Sequence, residues 1–379
     1  MSVCPFRLRA ALGLLLISCA PLREFRSYPT PPARVDIARL KPPLDPAKKT
    51  VLLLASNAGT EGMDLLAPYE ILSRAGAFNV LIVAPEAGPV PLWKGLVALP
   101  HYTLDEVDAL SIEPGALVIP NIEDEQNPRI LDWLRRRYRP GVYILSICEG
   151  ARVAAESGLY DGRRLTTHST ALKELRAKYP GPRWTQGVRV AEDGDLLSTV
   201  GVSAGVDGAL LLVERLGDLA LRTRVAEEIH YAGGRGSGAF TNRPLTRGDK
   251  ARIARKLFAG EKPDIAVLLE AGVGELSLAA ILDSYARTFP RSTHAVSRGD
   301  RFVLSRHGLL LGPSAGIAFL ARADEVHVPP ESPGEGAPGA IRYEGPGFIL
   351  DATRARIAGR YGERLAVVVM RMLEYPPDE

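Results

Sequence analysis

From Thr50 onward, short apolar runs alternate with stretches whose apolar positions recur every three to four residues. "TVLLLAS" reads as a buried strand, and Glu61 to Ala75 has helical spacing. "FNVLIVA" and "GALVIP" read as further strands, and Asn127 to Tyr138 as an amphipathic helix with a basic outer face. "VYILSI" is a strand that runs directly into a helix over Gly150 to Ser157, and a further helix spans Thr170 to Lys178. "GVRVAEDGDLLST" predicts a hairpin with an Asp-Gly turn, followed by helices near Ala204–Leu216 and Asp218–Tyr231. Strands alternating with helices mean a parallel sheet covered on both faces. The expected fold is α/β, a flavodoxin-like, doubly wound parallel sheet over residues 50–232, with a linker at 233–247 ("GGRGSGAFTNRPLTR").

Residues 248–379 predict a partial second copy of this unit. "SNAGTEGMDLLAPYEIL" (56–72) lines up with "LEAGVGELSLAAILDS" (269–284) at an offset of 213. The offset maps Ala58 on Ala271, Leu65 on Leu278, Val83 on Val296, Gly95 on Gly308 and Pro100 on Pro313 without a gap. The copy then departs into a Gly/Pro-rich loop, Pro329 to Gly347, and a final helix, Arg364 to Glu374. It has no thiol, and Ser277 stands where the first copy has Asp64, so it is expected to be structural and without chemistry of its own.

The N-terminus departs from this pattern. Arg7 and Arg9 precede an apolar run, Ala10 to Ile17, that is too short to span a bilayer. It ends in Leu16-Ile17-Ser18-Cys19, which resembles a bacterial lipobox with Cys19 as the lipidated residue. Residues 1–19 then read as a lipoprotein-type signal and 20–49, polar and Pro-rich, as a tether that buries no core. The expected location is outside the cytoplasm, on a membrane of the cell envelope, held by a lipid anchor. A plain secretory signal or a wrongly chosen start codon is the alternative.

Composition narrows the function classes. Of 379 residues, 46% are hydrophobic and 24% charged, which excludes wholesale disorder and a coiled-coil rod. A net charge of +3 with both signs interspersed gives no basic patch for nucleic acid. Three Cys exclude a disulfide scaffold, and the six His show no ligand spacing, so no metal and no cofactor is implied.

The sharpest motif is Ser146-Ile147-Cys148-Glu149-Gly150, with a strand running in and a helix running out. This is a nucleophile elbow with Cys148 as nucleophile. Gly150 permits the tight turn, and the helix N-terminus favours a thiolate and offers N–H groups to an oxyanion. A lone Cys at the end of a buried strand is equally compatible with inert core.

From Thr50 to about Tyr231 the chain resembles the ThiJ/PfpI superfamily, with the class I glutamine-amidotransferase-like fold. It is most similar to the domain that precedes the helix-turn-helix of many AraC-type regulators and to isonitrile hydratases. The residues that carry this are "EGMDLLAPYEIL", "LSICEGARVAAESGLYDGRRLTTHS" and "STVGVSAGVDGALLLVERL". The resemblance implies that Cys148 is the elbow cysteine and Asp64 the acid that approaches it. It places His168 near the mouth of the site, Glu70 on the helix face of Asp64, and Asp207 at the start of a later helix in a structural role. Two departures stand out. Pro120-Asn121 replaces a glycine pair that lends an N–H to the oxyanion, so that Asn121 or Ile122 would supply it. Glu149 replaces the Thr of the hydratases and the His of the PfpI-type proteases. An acid there raises the thiol pKa unless it points away.

Three functions follow. The first is a Cys-dependent hydrolase or hydratase on a small electrophilic substrate, with Asp64 moving the proton. The second is a redox or ligand sensor that uses Cys148 without turnover. The third is a transcription regulator, set against by the missing helix-turn-helix. The implied partners are a small-molecule substrate or ligand and the membrane, with no nucleic acid. The resemblance implies a homodimer, whose interface the second half-copy is in a position to cover.

Overall fold

In a computed structural model the described residues are 28–29, 39–93, 95–233, 245–259, 262–299, 301–330, 332, 339–343 and 347–376. Cys19 and the signal segment lie outside them, as does most of the 233–247 linker.

The first unit contains β1 (Lys49–Leu54), α1 (Gly62–Arg74), β2 (Phe78–Ala84), β3 (Val90–Leu92), β4 (Leu96–Ala98), β5 (Tyr102–Thr103), α2 (Leu104–Ala109) and β6 (Pro114–Ile119). It continues with α3 (Pro128–Arg137), β7 (Tyr143–Ile147), one 3-10 turn (Cys148–Gly150), α4 (Ala151–Glu156), β8 (Arg164–Leu165), α5 (Leu172–Lys178) and β9 (Arg183–Trp184). The hairpin β10 (Val190–Asp193) and β11 (Leu196–Thr199) and the helices α6 (Ala204–Leu216) and α7 (Leu219–Glu228) close it. Its seven-stranded sheet has the order β10-β11-β7-β6-β1-β2-β5 and is parallel except for the β10–β11 hairpin. This is the flavodoxin-like, doubly wound α/β fold. The apolar runs are continuous because both faces are covered: Val51 and Leu53 enter one core, and Leu52 and Leu54 the other.

The second unit contains α8 (Arg247–Ala259), β12 (Asp264–Leu269), α9 (Glu275–Ala286), β13 (Ser292–Ser297), β14 (Val303–Leu304), β15 (Leu310–Pro313), β16 (Glu325–Val328), β17 (Ile341–Arg342), α10 (Ile349–Tyr361) and α11 (Glu363–Met372). Its parallel sheet has the order β13-β12-β16-β17. Sequence spacing alone left α2, α8 and α10 unassigned.

The two units share one core. Val51 and Leu53 of β1 belong to the same cluster as Ile265 and Val267 of β12. α1 and α9 lie between the two sheets, so α9 is buried along its whole length and α1 over Gly62–Leu72. A helix in such a position is buried on every side, and its few charged residues (Asp64 and Glu70 on α1, Glu275 and Asp283 on α9) are buried with it. A four-stranded antiparallel sheet, β14-β15-β4-β3, crosses the seam. The 213-residue offset recurs in its bonds: the His101 N–H donates to the Ile82 carbonyl (2.9 Å), and the Ser314 N–H to the Ala295 carbonyl (3.0 Å). Glu70–Arg74 and Asp283–Arg287 are matching ion pairs on α1 and α9.

The described part of the expected tether is docked. Arg39 and Lys41 pair with Glu106, each at 2.8 Å, and the Tyr28 hydroxyl donates to Glu123 at 2.9 Å. Composition hid this because the binding charges reside on the folded unit.

Candidate functional site

β7 delivers Cys148 to the edge of a cavity of about 320 Å³. Cys148 is 5% exposed and has φ +57°. A residue other than glycine in this region stores strain of roughly 1–3 kcal/mol and is held there only by its surroundings. One restraint is the Thr167 hydroxyl, which donates to the Cys148 carbonyl at 3.0 Å. The sharp turn is therefore made by the cysteine itself. Gly150 has ordinary helical φ, and its smallness serves a close approach: a Cβ there would lie 2.2 Å from the Ile119 carbonyl oxygen.

Asp64 is fully buried in the first turn of α1. Its Oδ2 accepts the Asn121 N–H at 3.2 Å, and its own N–H donates to Glu61 Oε2 at 2.6 Å. The Glu61 N–H in turn donates to the Asn121 carbonyl at 2.8 Å. The sequence reading offered the Asn121 N–H to an oxyanion. The structure gives it to Asp64 instead, because the helix start folds back onto the end of β6. Ile122 is bridged to Thr60 across the same turn through the flanking Glu61 and Glu123 N–H groups, so its own N–H is not used in that bridge. The backbone N–H groups placed to meet developing negative charge are therefore those of Ile122 and of the turn after Cys148.

Glu149 lines the cavity, and its carboxylate is matched. Arg152 Nε donates to it at 2.8 Å, and the same guanidinium reaches Glu174 at 2.6 Å. Burial works against the Arg152 charge, but the two carboxylates outweigh it and hold the group firmly cationic. The acid beside the thiol is therefore neutralised by its neighbour one helical turn on.

His168 stands on the cavity wall with both ring nitrogens engaged. Nδ1 accepts the Thr170 N–H at 3.3 Å and meets the Thr170 hydroxyl at 2.7 Å. Nε2 then carries the proton and meets the Met372 carbonyl at 3.2 Å. These bonds fasten the C-terminal segment rather than aim the ring at the thiol. Ser203 and Arg189 secure the same segment by donating to the Glu374 carbonyl. Asp207 holds Arg189 at 2.7 Å and accepts from Tyr231, a structural part.

Half of the cavity wall comes from the second unit. Glu61, Trp93, Asn121, Cys148 and His168 face Arg287, Phe289, Arg291, Thr293 and His294 from α9, β13 and the loop between them, with Met372 at the end of α11. The second unit, expected to be structural and without chemistry of its own, thus also borders the site. Arg287 pairs with Asp283 and lies over the Trp93 ring at 4.3 Å from its centroid. Burial keeps His294 neutral by lowering its pKa. Sequence reasoning passed over Glu61, which caps α1 although Glu is not among the residues that favour a helix N-cap, so no local signal marked it. Nothing in the sequence pointed to Arg287 or Thr293.

Glu70 lies away from Cys148, in a buried cluster with Glu275 and His307 at the seam. Its oxygens accept from Arg74 (2.7 Å) and from the Leu276 N–H (2.7 Å), capping α9. Glu275 meets Ser305 (2.6 Å) and His307 Nδ1 (2.7 Å). These three side chains have ligand spacing, but Glu70 is engaged by Arg74 and by α9 across the seam, and Glu275 by Ser305 and His307 within the second unit.

Residues 48–215 match the DJ-1/PfpI family. The chain is 32% identical over 173 residues to the isonitrile hydratase of Pseudomonas putida, covering 45% of this chain and 73% of that protein. It is 35% identical over 166 residues to the HTH-type transcriptional regulator CdhR of Pseudomonas aeruginosa, covering 42% and 48%. A solved ThiJ/PfpI family protein from Pseudomonas syringae aligns at 20% identity with a TM-score of 0.47, covering 57% of this chain and 92% of that one.

Proposed function

The chain belongs to the DJ-1/PfpI family, and on that premise we propose that it is a cysteine-dependent hydratase or hydrolase acting on a small electrophilic carbon. The observation that carries the reading is Cys148, held at φ +57° at the end of β7 and bordering a partly open cavity. Such a position turns the thiol out of the sheet and toward a ligand.

For an isonitrile the steps balance as follows. The Cys148 sulfur bonds to the terminal carbon, and the thiol proton, relayed by Asp64, ends on that carbon as a thioimidate. Water then adds to the carbon, the C–S bond breaks, and the proton returns to the thiol as the formamide leaves. Asp64 has a fixed orientation from the Asn121 N–H, which suits a relay. The backbone beyond Cys148 supports the charge that develops.

The test is formamide production from an aliphatic isonitrile, followed by NMR. Cys148→Ala should abolish it. Turnover that survives in Cys148→Ala would remove the nucleophile. Absence of turnover, together with reversible oxidation of Cys148 by peroxide, would favour the sensor reading.

The seam supports reading the second unit as a partial copy that has become the far wall of the site. We further propose that Cys19 is lipidated and anchors the protein outside the cytoplasm. The basic–apolar–Ser-Cys order supports this. Cys19→Ser should release the protein from the membrane fraction.

A further inference from the structure

Two buried side chains on the Cys148 cavity have hydrogen-bonding capacity that the fold leaves unused. Glu61 is 4% exposed. Its Oε2 caps α1 through the Asp64 N–H, and its Oε1 has no partner among the described residues. Thr293, on β13 of the other unit, is 7% exposed, and its Oγ1 also lacks a partner among the described residues. Both residues line the cavity. A buried acceptor left without a donor costs roughly 1–3 kcal/mol, which a ligand supplying the donor recovers.

The other charges on the wall are matched. Glu149 has Arg152, Arg287 has Asp283, and Arg291 has Asp264 at 2.8 Å. His294 is neutral, and His168 spends both nitrogens on Thr170 and Met372. Among the described residues Glu61 is the lining carboxylate without a cationic partner. Beside it, Trp93 and Phe289 give the cavity apolar wall.

We propose that this cavity binds a small organic ammonium compound. Its nitrogen meets Glu61 Oε1, the Thr293 hydroxyl makes a second polar contact, and its apolar body lies against Trp93 and Phe289. The proposal rests on the Cys148 cavity being the functional site, and it names the class of compound that the site selects. It also gives the second unit a role in selection, since Thr293 and Phe289 reach the ligand from there.

The experiment separates binding from chemistry by using the full chain with Cys148→Ala. Benzylammonium and benzoate, equal in shape and opposite in charge, are compared by thermal shift and by titration calorimetry. Benzylammonium should raise Tm and bind at least about tenfold tighter than benzoate, and Glu61→Gln should remove most of that difference. Gln keeps an oxygen to cap α1, so the variant folds. Thr293→Val should weaken benzylammonium while leaving the charge preference intact. Binding of benzoate as tight as benzylammonium, an unchanged preference in Glu61→Gln, or no binding of either would overturn the proposal. Selective benzylammonium binding with no turnover by the wild type would uphold it while the enzyme reading falls.

Discussion

The Ala295 N–H donates to the Gly95 carbonyl at 2.8 Å, joining β13 of the second unit to the start of β4 in the first. Gly95 has φ +100°, and a Cβ there would lie 2.4 Å from the Thr293 carbonyl oxygen. The contact needs glycine on both counts. Gly95→Ala should therefore lower stability by at least about 2 kcal/mol. Urea unfolding followed by circular dichroism checks this, and a loss under about 0.5 kcal/mol would mean that the seam yields easily.

A similar approach governs the elbow. Gly150→Ala places a methyl against the Ile119 and Pro120 backbone, and the turn must move to admit it. The expected result is a change in Cys148 alkylation rate of about tenfold or more in a protein that remains folded. An unchanged rate would show that the elbow tolerates displacement.

His168 separates two roles. A proton carrier contributes roughly 10²–10⁴-fold to rate, so His168→Gln would lose that much if the ring transferred protons. The hydrogen bonds to Thr170 and Met372 predict a loss under about fivefold, since Gln can still reach the Met372 carbonyl. His168→Ala should instead speed amide hydrogen exchange across Leu373–Tyr375.

His101 ties stability to pH. Its Nδ1 accepts the Ile82 N–H at 3.0 Å, and the ring donates to the Gly308 carbonyl across the seam. Burial lowers its pKa from 6.5 to about 4. The unfolded chain then takes up this proton at higher pH than the folded chain. The stability contribution is full above about 6.5 and is lost as pH falls toward 4. Burial also lowers the pKa of His327, which acts in the same direction. Moving from pH 7.5 to pH 5 should cost about 2 kcal/mol through His101 alone. His101→Gln should flatten that part of the urea-midpoint profile, and an equally steep profile would discount the residue.

Removing residues 248–379 should do more than weaken the fold. It uncovers α1, which is buried over Gly62–Leu72, and takes Arg287, Phe289 and Thr293 from the cavity. The fragment is expected to self-associate beyond the state of the full chain, as read by light scattering, and to lose selectivity at Cys148. A fragment in the same state as the full chain with unaltered Cys148 chemistry would contradict this.

The sequence by itself determined the first unit. Strands buried on both faces must be continuous apolar runs, so β1, β2, β6 and β7 stood out, and the elbow around Cys148 followed from a strand meeting a helix at a small residue. Asp64 and Gly150 were legible for the same reason: their roles depend on residues within a few positions or on a motif. The sequence did not reveal that the Asn121 N–H is spent on Asp64 or that His168 holds the C-terminal segment, because those pairings join residues 57 and 204 positions apart and local spacing carries no record of them. The Glu149–Arg152 pair is one helical turn and was legible in the spacing, although the sequence reading passed over it. The second unit shows the division most plainly. Its register against the first was visible in the chain, whereas its place over Cys148 was decided by two helices buried on every side, α1 and α9, that pack against each other between the sheets.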